Sequence, residues 1–461
     1  MALNVLEKIV STPSKVVDST VTTSQKVIKQ VEKHDYLKKA KNYWKMLGPG
    51  LTTGAADDDP SGIATYSQAG ATVGNQLLWL ASFTFPLSAI IQEMCARIGI
   101  VTGRGLAGNI RVHFPRWVLY ITASLLFFAN TLNIGADLGA MTKAVQLLFP
   151  RLNNGYFFVW IITAFTLISL GIQIYSSYEK YSKFLKWLAL ILLSYVFTTL
   201  IIPNLDWANI FKSTLIPQIT FSKQQIILIC GILGTTISPY LFFWQTSQEV
   251  EDQILEGKTS LKLRQEMTTK PEISNMRVDV WSGIFFSNLV MFFIIAACSA
   301  TLFTKGITNI TTASDAAEAL RPLAGDQAYL LFALGIIGTG MLAVPILAGS
   351  AAYALAESFR WKQGLYRKLK DANAFYGVII FSTIIGLSIN FIGLDSIKAL
   401  LYTAVANGLI APVILALIVI ISSKKQVMGE WANKPIAKFF GWAVVILMTI
   451  SGISALVSLF S

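Results

Sequence analysis

The stretch GAADDDPSGIATYSQAG, residues 54–70, places three consecutive aspartates in a run that is otherwise uncharged from about Met46 to Gln92. In a soluble protein, D-D-P-S-G would be read as a surface turn. The composition argues against that interpretation, because 54% of the 461 residues are hydrophobic and only 13% are charged. A soluble domain carries about 25% charged residues. The stretch therefore indicates carboxylates held within a polytopic, all-α membrane protein.

Apolar segments of about 20 residues or more, the length needed to cross the hydrocarbon of a bilayer, recur along the chain. We predict eleven transmembrane helices, at residues 47–71, 77–97, 118–146, 155–176, 187–204, 224–247, 278–303, 327–356, 374–393, 397–421 and 437–459. Most of the 37 lysines and arginines then lie on the same side as the N-terminus, as the positive-inside rule requires. We expect a bacterial inner (plasma) membrane protein with its N-terminus in the cytoplasm and its C-terminus outside. The net charge of +12 is attributed to this asymmetry, not to nucleic-acid binding.

The predicted spans divide into five, five and one. Residues 1–45 show no secretory signal and are interpreted as a basic amphipathic cytoplasmic segment. Residues 46–204 form the first five-helix repeat, residues 224–421 the second, and residues 437–459 an additional eleventh helix. Because each repeat has an odd number of spans, the second is inverted relative to the first, as in many transporters.

The first and sixth spans carry matching interruptions, TGAADDDPSG (53–62) and GTTISPYLF (234–242). Proline lacks a backbone donor, so Pro60 and Pro239 each free a carbonyl group four residues earlier. Unpaired carbonyls at membrane depth are tolerated where they line a polar cavity or bind an ion. We therefore expect two broken helices that converge on a cation site containing the aspartates, and a structural salt bridge is the alternative.

A glycine motif after the second span, GRGLAG (103–108), has the spacing G-x-G-x-x-G. In a nucleotide-binding fold this motif follows a strand and opens a helix. No strand is predicted before it, so we interpret it as chance or as helix packing. We expect no cofactor, no catalytic residues and no enzymatic activity.

At residues 46–460 the chain resembles the NRAMP family of divalent-metal transporters. The segment 48–74 is similar to the family's first helix with its D-P-G-N motif, and ARIGIVTGRGLA (96–107) to its loop after the second span. ADLGA (136–140) corresponds to D-L-A-E, and TTISPYLFFWQTS (235–247) to A-x-x-M-P-H and a following histidine. The resemblance implies a LeuT-like inverted repeat with broken helices 1 and 6, and divalent-metal transport.

The resemblance also implies a set of site residues, with Asp59 as the principal metal ligand. The family's asparagine falls on Gly62 and its metal-binding methionine on Ser238. The expected metal site comprises Asp59, the carbonyl groups of Ala56 and Thr235, and Ser238, Gly62, Asp58, Asp57 and Asn407. For Asp57 and Asp58 three roles stay open: raising the local negative potential, binding outer-shell water, or contacting solvent at the mouth.

These replacements remove the soft ligand of the family and leave more room. Oxygen ligands suit Mg²⁺, Ca²⁺ and Mn²⁺, whereas a thioether favours softer transition metals. Mg²⁺ keeps several of its waters, so a roomy oxygen site suits a partly hydrated ion. The chain thus looks like the NRAMP-related magnesium transporters, a divergent branch, with Mg²⁺ as the expected cargo and Mn²⁺ as a further one.

Most positions that correspond to the proton pathway of the coupled members carry neither an acid nor a histidine in this sequence. Tyr240 and Gln245 replace the two histidines of the sixth helix, and Ala140 replaces an acid of the third, while Asp137 is kept. We therefore expect voltage-driven uptake without proton coupling, by a monomer or weak oligomer whose partners are the metal ion and the lipid bilayer. The alternatives are a proton-coupled Mn²⁺/Fe²⁺ symporter, a sodium-coupled amine or amino-acid carrier, and a transport-dead membrane sensor.

Overall fold

The computed structural model describes residues 35–203, 205–220, 222–308, 310, 313–392 and 396–460, and these residues contain helices and no strand. In chain order the α-helices are α1 Asp35–Met46, α2 Pro49–Asp57, α3 Pro60–Val73, α4 Trp79–Thr102, α5 Leu106–His113, α6 Arg116–Leu148, α7 Gly155–Tyr175, α8 Tyr178–Leu188, α9 Leu193–Ile201, α10 Trp207–Leu215, α11 Lys223–Thr236, α12 Pro239–Leu255, α13 Leu261–Glu266, α14 Lys270–Thr301, α15 Ala313–Phe359, α16 Asn373–Ile389, α17 Ser396–Ser423, α18 Lys425–Met428 and α19 Pro435–Phe460. The all-α prediction is confirmed.

Eight helical segments of the described residues are long and apolar enough to cross a membrane. The number is nine if Asn407–Ser423 and Lys425–Trp431, which meet at 65°, form one span. Two predicted spans take other forms: the first is divided into α2 and α3, and the ninth is the shorter apolar helix α16. The count of eleven spans and the boundaries of the two repeats remain predictions.

Both predicted breaks are present. The first lies at Asp58 and Asp59, between α2 and α3, where Asp59 is extended (φ −66°, ψ 169°) and becomes the N-cap of α3. The second lies at Ile237 and Ser238, between α11 and α12, where Ser238 is also extended (φ −83°, ψ 129°). In each case the following helix begins at the proline, whose missing N–H is no loss at a first helical position.

Helix α14 holds the first half-helix in place. A Cβ on Gly54 of α2 would overlap the backbone of Gly283 on α14, so glycine on both helices lets the two backbones touch. The Asp279 carboxylate of α14 then accepts hydrogen bonds from the N–H groups of Gly48 (2.8 Å), Gly50 (2.7 Å) and Leu51 (3.0 Å). These are free donors at a helix start, and a carboxylate there also complements the helix dipole.

The N-terminal segment is described only from residue 35, so most of residues 1–45 lies outside the described residues. The part that is described forms α1, whose side chains from Lys38 to Tyr43 are exposed. The assignment of a basic, amphipathic, cytoplasmic segment stays a prediction.

Candidate functional site

The two helix breaks meet at Gly62, near the start of α3. A Cβ on this glycine would lie 3.0 Å from the Asp57 carbonyl oxygen and 3.0 Å from Thr235 Oγ1 of α11. It would lie 3.5 Å from Asp59 Oδ1. The predicted convergence of the two interrupted segments is confirmed, and oxygens from both surround the space that a side chain would fill. We call these three oxygen atoms and the space beside Gly62 the Gly62 niche.

Asp59 is fully buried and its carboxylate is held by three donors. Oδ1 accepts hydrogen bonds from Ser61 Oγ at 2.6 Å and from the Gly62 N–H at 2.7 Å. Oδ2 accepts one from Asn133 Nδ2 of α6 at 2.7 Å. The position of the carboxylate is therefore fixed by α3 and α6, and both oxygens keep lone-pair capacity for a further ligand.

The carbonyl groups of Ala56 and Thr235 lie four residues before Pro60 and Pro239 and so lose their helical donors. The prediction that they are left unpaired is wrong in this conformation. The Tyr240 hydroxyl donates to the Ala56 oxygen at 2.7 Å, and Ser238 Oγ donates to the Thr235 oxygen at 2.7 Å. Hydroxyl groups compensate because an unsatisfied carbonyl in a buried site is costly. Each carbonyl oxygen has a second lone pair, so coordination of a cation by both stays a prediction.

Asp57 and Asp58 are buried but do not join Asp59 in one cluster. Ser287 Oγ of α14 donates to Asp57 Oδ2 at 3.0 Å, while Oδ1 has no hydrogen-bond partner among the described residues. Neither carboxylate oxygen of Asp58 has a partner in this part of the chain. Direct contact of these two side chains with solvent at the mouth is wrong for this conformation, because both are 0% exposed. In the part of the chain that the structure describes, no group of three or more His, Cys, Asp or Glu side chains is arranged to hold a metal.

Asp137 of α6 lies beside the same break. It is 0% exposed, and its carboxylate faces the Ser61 amide and the charge of Asp59. Among the described residues it has no well-formed hydrogen bond. Asn133, four residues earlier, is on the same face of α6 and reaches Asp59. Asn133 is not among the predicted site residues, and its spacing of one helical turn from Asp137 is the signal that could have found it.

The three positions that replace titratable groups have other partners. The Tyr240 hydroxyl donates a hydrogen bond to the Ala56 carbonyl oxygen. Gln245 Nε2 donates to Glu249 Oε1 at 2.7 Å, and the small side chain of Ala140 is buried. Glu249, one turn after Gln245 on α12, is a buried carboxylate that was not predicted. Glu251, two residues further along this helix, is a second buried carboxylate.

Asn407 of α17 is buried, and its neighbour Gly408 places α17 against α11. A Cβ on Gly408 would lie 3.5 Å from the Cα of Gly234, just before the second break. The structure thus brings Asn407 to the same layer of the bundle as the break. Its role as an ion ligand stays a prediction.

Residues 50–458 match the family model described as natural resistance-associated macrophage protein-like, or Nramp. The chain belongs to the Nramp family. Its members are transporters, so the expectation that this chain is not an enzyme is confirmed by its family, and divalent-metal transport is the activity that the family supports.

The fold of this Nramp protein is shared by solved transporters. A crystal structure of the Eremococcus coleocola manganese transporter, in complex with an aromatic bis-isothiourea substituted compound, is 19% identical and matches with a TM-score of 0.66 over 92% of this chain and 87% of the other. A nucleobase-cation-symport-1 family transporter in a closed conformation with bromovinylhydantoin bound is 14% identical and matches with a TM-score of 0.54 over 89% of this chain and 91% of the other. At these identities the likeness concerns the fold, and it confirms the predicted LeuT-like architecture with broken first and sixth helices.

Proposed function

We propose that this Nramp protein carries divalent cations through the Gly62 niche, with Mg²⁺ as its preferred cargo and Mn²⁺ as a further one. The observation that carries the proposal is the ring of oxygens from a carboxylate, a backbone carbonyl and a hydroxyl around Gly62. These are hard ligands of the kind that suit Mg²⁺ and Mn²⁺. A Cβ at Gly62 would already be tight against two of these oxygens, so glycine is the residue that lets them approach one another and a small cation without a side chain between them.

The structure supports a compact oxygen site in a second way. Ser238 replaces the methionine expected from the family motif, and its hydroxyl donates to the carbonyl groups of Gly234 and Thr235 at the end of the preceding helix, α11. It therefore adds a polar oxygen, and no sulfur, at the second break. Asp59, the residue with the best-anchored carboxylate, supplies the negative charge.

A specific observation favours a softer metal as the second candidate. Met141, one turn after Asp137 on α6, is fully buried against Gly340 of α15. A Cβ on Gly340 would overlap the Met141 side chain and would lie 3.3 Å from Cγ of Pro60. A thioether, which favours softer transition metals, thus lies near the first break. Separately, the solved Eremococcus coleocola protein of the same fold is described as a manganese transporter. The alternative function is a proton-coupled Mn²⁺/Fe²⁺ symporter.

The proposed setting is the bacterial inner membrane, with the N-terminus in the cytoplasm and the C-terminus outside, and with a monomer or weak oligomer as the working unit. The distribution of lysine and arginine supports this orientation. In this setting an inside-negative potential drives divalent cations inward.

Uptake by proteoliposomes tests the function. With an inside-negative potassium diffusion potential and no pH gradient, we expect saturable Mg²⁺ accumulation reported by a trapped fluorescent indicator. Mn²⁺ should compete with it, since both ions accept oxygen ligands. Protein-free liposomes and liposomes at zero potential are the controls. Absence of saturable uptake of either ion by correctly folded protein would refute the proposal.

Selectivity is expected to depend on the two positions that depart from the family motif. Ser238→Met combined with Gly62→Asn should increase inhibition of Mg²⁺ uptake by Cd²⁺ by about tenfold, equivalent to about 1.4 kcal/mol of ligand preference. The reason is that the change introduces a thioether and fills the Gly62 niche. Inhibition curves for Cd²⁺ in the uptake assay measure the shift.

Two further variants keep this test interpretable. A Cβ at Gly62 would lie 3.0 Å from the Asp57 carbonyl oxygen, so Gly62→Asn could destabilise the protein. Ser238→Met alone is therefore measured if the double variant does not fold. Met141→Leu, a change of nearly equal volume, should leave the Cd²⁺ inhibition curve unchanged if its sulfur serves only packing. The prediction is contradicted if a transport-competent Ser238→Met variant has an unchanged Cd²⁺ inhibition curve. It is also contradicted if Met141→Leu loses Cd²⁺ inhibition, since selectivity would then depend on residues other than Gly62 and Ser238.

A further inference from the structure

A cavity of about 420 Å³ lies at the end of the bundle where α5, α12, α13 and α15 meet the loop after α15, far in sequence from the helix breaks. Its lining is rich in cations. The basic side chains are Arg104, Arg111, Arg264, Arg360, Lys362 and Arg367. Its acidic side chains, within the described residues, are Glu251 and Glu357. The wall is therefore strongly positive.

The two carboxylates take their hydrogen bonds from neutral donors, and Glu357 offsets part of the charge of Arg111. Glu357 accepts the N–H groups of Gly105 at 2.8 Å and Gly108 at 2.7 Å. Glu251 accepts the Tyr353 hydroxyl at 2.6 Å and the Leu365 N–H at 2.8 Å. Among the described residues, no carboxylate lies within 4 Å of a charged nitrogen of the six cations.

These contacts also explain the glycine motif GRGLAG. Its backbone amides bind the carboxylate of Glu357, and a Cβ on Gly105 would overlap that carboxylate. The backbone amides of the motif are therefore used to bind a side chain of α15 and are not available to bind a nucleotide phosphate. The expectation that it is no nucleotide-binding loop agrees with this geometry.

Three arginines face one another with spare donors. Arg111 is half-buried at α5, and burial together with nearby Arg360 and Arg104 lowers its pKa. Arg111 donates to the backbone oxygen of Glu357 and keeps its other N–H groups. The side chains of Arg104 and Arg360 form no hydrogen bond or ion pair with any described residue. Glu357 offsets only part of this positive charge, so the mutual repulsion of the three guanidinium groups favours an additional anion between them.

We propose that this cavity binds a phosphate-bearing anion, with Arg104, Arg111 and Arg360 as its ligands. A guanidinium group presents paired N–H donors that match two phosphate oxygens, and such charge-assisted bonds are among the strongest in proteins. The cavity volume accommodates one or two phosphate groups with water. The ligand is either the headgroup of an anionic lipid or a soluble phosphate compound, and the test separates these two sources. The proposal does not depend on the metal or on the transport mechanism.

The binding experiment uses the full-length protein in metal-free buffer, so that phosphate compounds do not chelate a divalent cation. Inorganic pyrophosphate is the soluble probe, measured by isothermal titration calorimetry in a neutral detergent. Nanodiscs of phosphatidylcholine with or without phosphatidylglycerol supply the lipid probe, measured by the change in melting temperature. We expect binding of one or both probes, and weaker binding of pyrophosphate as ionic strength rises.

The double variant Arg104→Gln with Arg360→Gln should weaken binding of the active probe by about tenfold or more, because two charge-assisted contacts are lost. Lys212→Gln with Lys223→Gln removes the same charge from exposed positions outside the cavity and should leave binding unchanged. Pyrophosphate binding lost in the arginine variant assigns a soluble ligand. A phosphatidylglycerol effect lost in that variant, without pyrophosphate binding, assigns a lipid headgroup. Binding of neither probe, or equal losses in both double variants, overturns the proposal.

Discussion

Asp59→Asn is expected to abolish saturable metal uptake while the protein stays folded. Asp59 supplies the buried negative charge of the Gly62 niche, and its carboxylate is aimed by Ser61, Gly62 and Asn133. The substitution removes the charge and keeps an acceptor oxygen. Since asparagine is as good an N-cap as aspartate, α3 should keep its start. The measurement is initial Mg²⁺ uptake against concentration, with thermal melting as the test of folding.

Two comparisons make this result specific to Asp59. Asp58→Asn should have a smaller effect, because none of the described residues donates a hydrogen bond that would direct the Asp58 carboxylate into the Gly62 niche. Asp326→Asn changes an exposed aspartate, paired with Arg321, and should leave uptake unchanged. Near-normal uptake by folded Asp59→Asn would remove it as the principal ligand. Equal losses at Asp57, Asp58 and Asp59 would instead favour a shared carboxylate cluster that forms in another conformation.

Metal uptake is expected to proceed without proton transport. A divalent cation gains about 4.6 kcal/mol per 100 mV of inside-negative potential, twice the value for one charge. That is enough for about 10³-fold accumulation, since each 1.4 kcal/mol corresponds to a factor of ten. Of the replaced positions, glutamine and alanine do not titrate, and a tyrosine in water titrates only near about pH 10. The Tyr240 hydroxyl is in addition committed to the Ala56 carbonyl.

A pH-sensitive dye trapped in proteoliposomes measures this prediction. Mg²⁺ influx driven by potential should not acidify the lumen, and an outside-acid pH gradient at zero potential should not concentrate the metal. The structure adds a second acid to be tested beside Asp137, because Glu249 is buried next to Gln245. Metal-dependent acidification that disappears in Asp137→Asn or in Glu249→Gln would overturn the uncoupled mechanism and support proton symport. Lys212→Gln, an exposed change elsewhere, is the matched control.

The fold was largely predictable, because hydrophobicity and proline act locally. Long apolar segments predict membrane helices from length and composition alone. The two breaks followed from glycine, small polar residues and proline in succession, at residues 54–60 and 234–239. Proline alone does not predict a break, because Pro86 and Pro412 lie inside α4 and α17. The short ninth helix was less predictable, because the hydropathy pattern does not show where a helix ends.

The site was predictable in its chemistry and less so in its contacts. Three aspartates beside a proline predict a polar break, and the break does hold a buried carboxylate at Asp59. The mutual direction of the three side chains was not predictable. At a break the backbone is not helical, so the side chains of nearby residues point in directions that no helical periodicity predicts. Asp57 contacts Ser287 on α14, whereas Asp59 contacts Asn133 on α6.

The membrane class, the two helix breaks and the carbonyl groups that lose their donors could be inferred from the residues alone, because each depends on residues close together in the chain. What those groups contact depends on the tertiary packing. The Tyr240 hydroxyl and the Ala56 carbonyl are 184 residues apart, and the Asp279 carboxylate and the Gly50 amide are 229 residues apart. No local pattern couples such pairs. They meet because glycines such as Gly54 and Gly283 let two backbones touch, and because buried polar groups must find partners wherever packing places them.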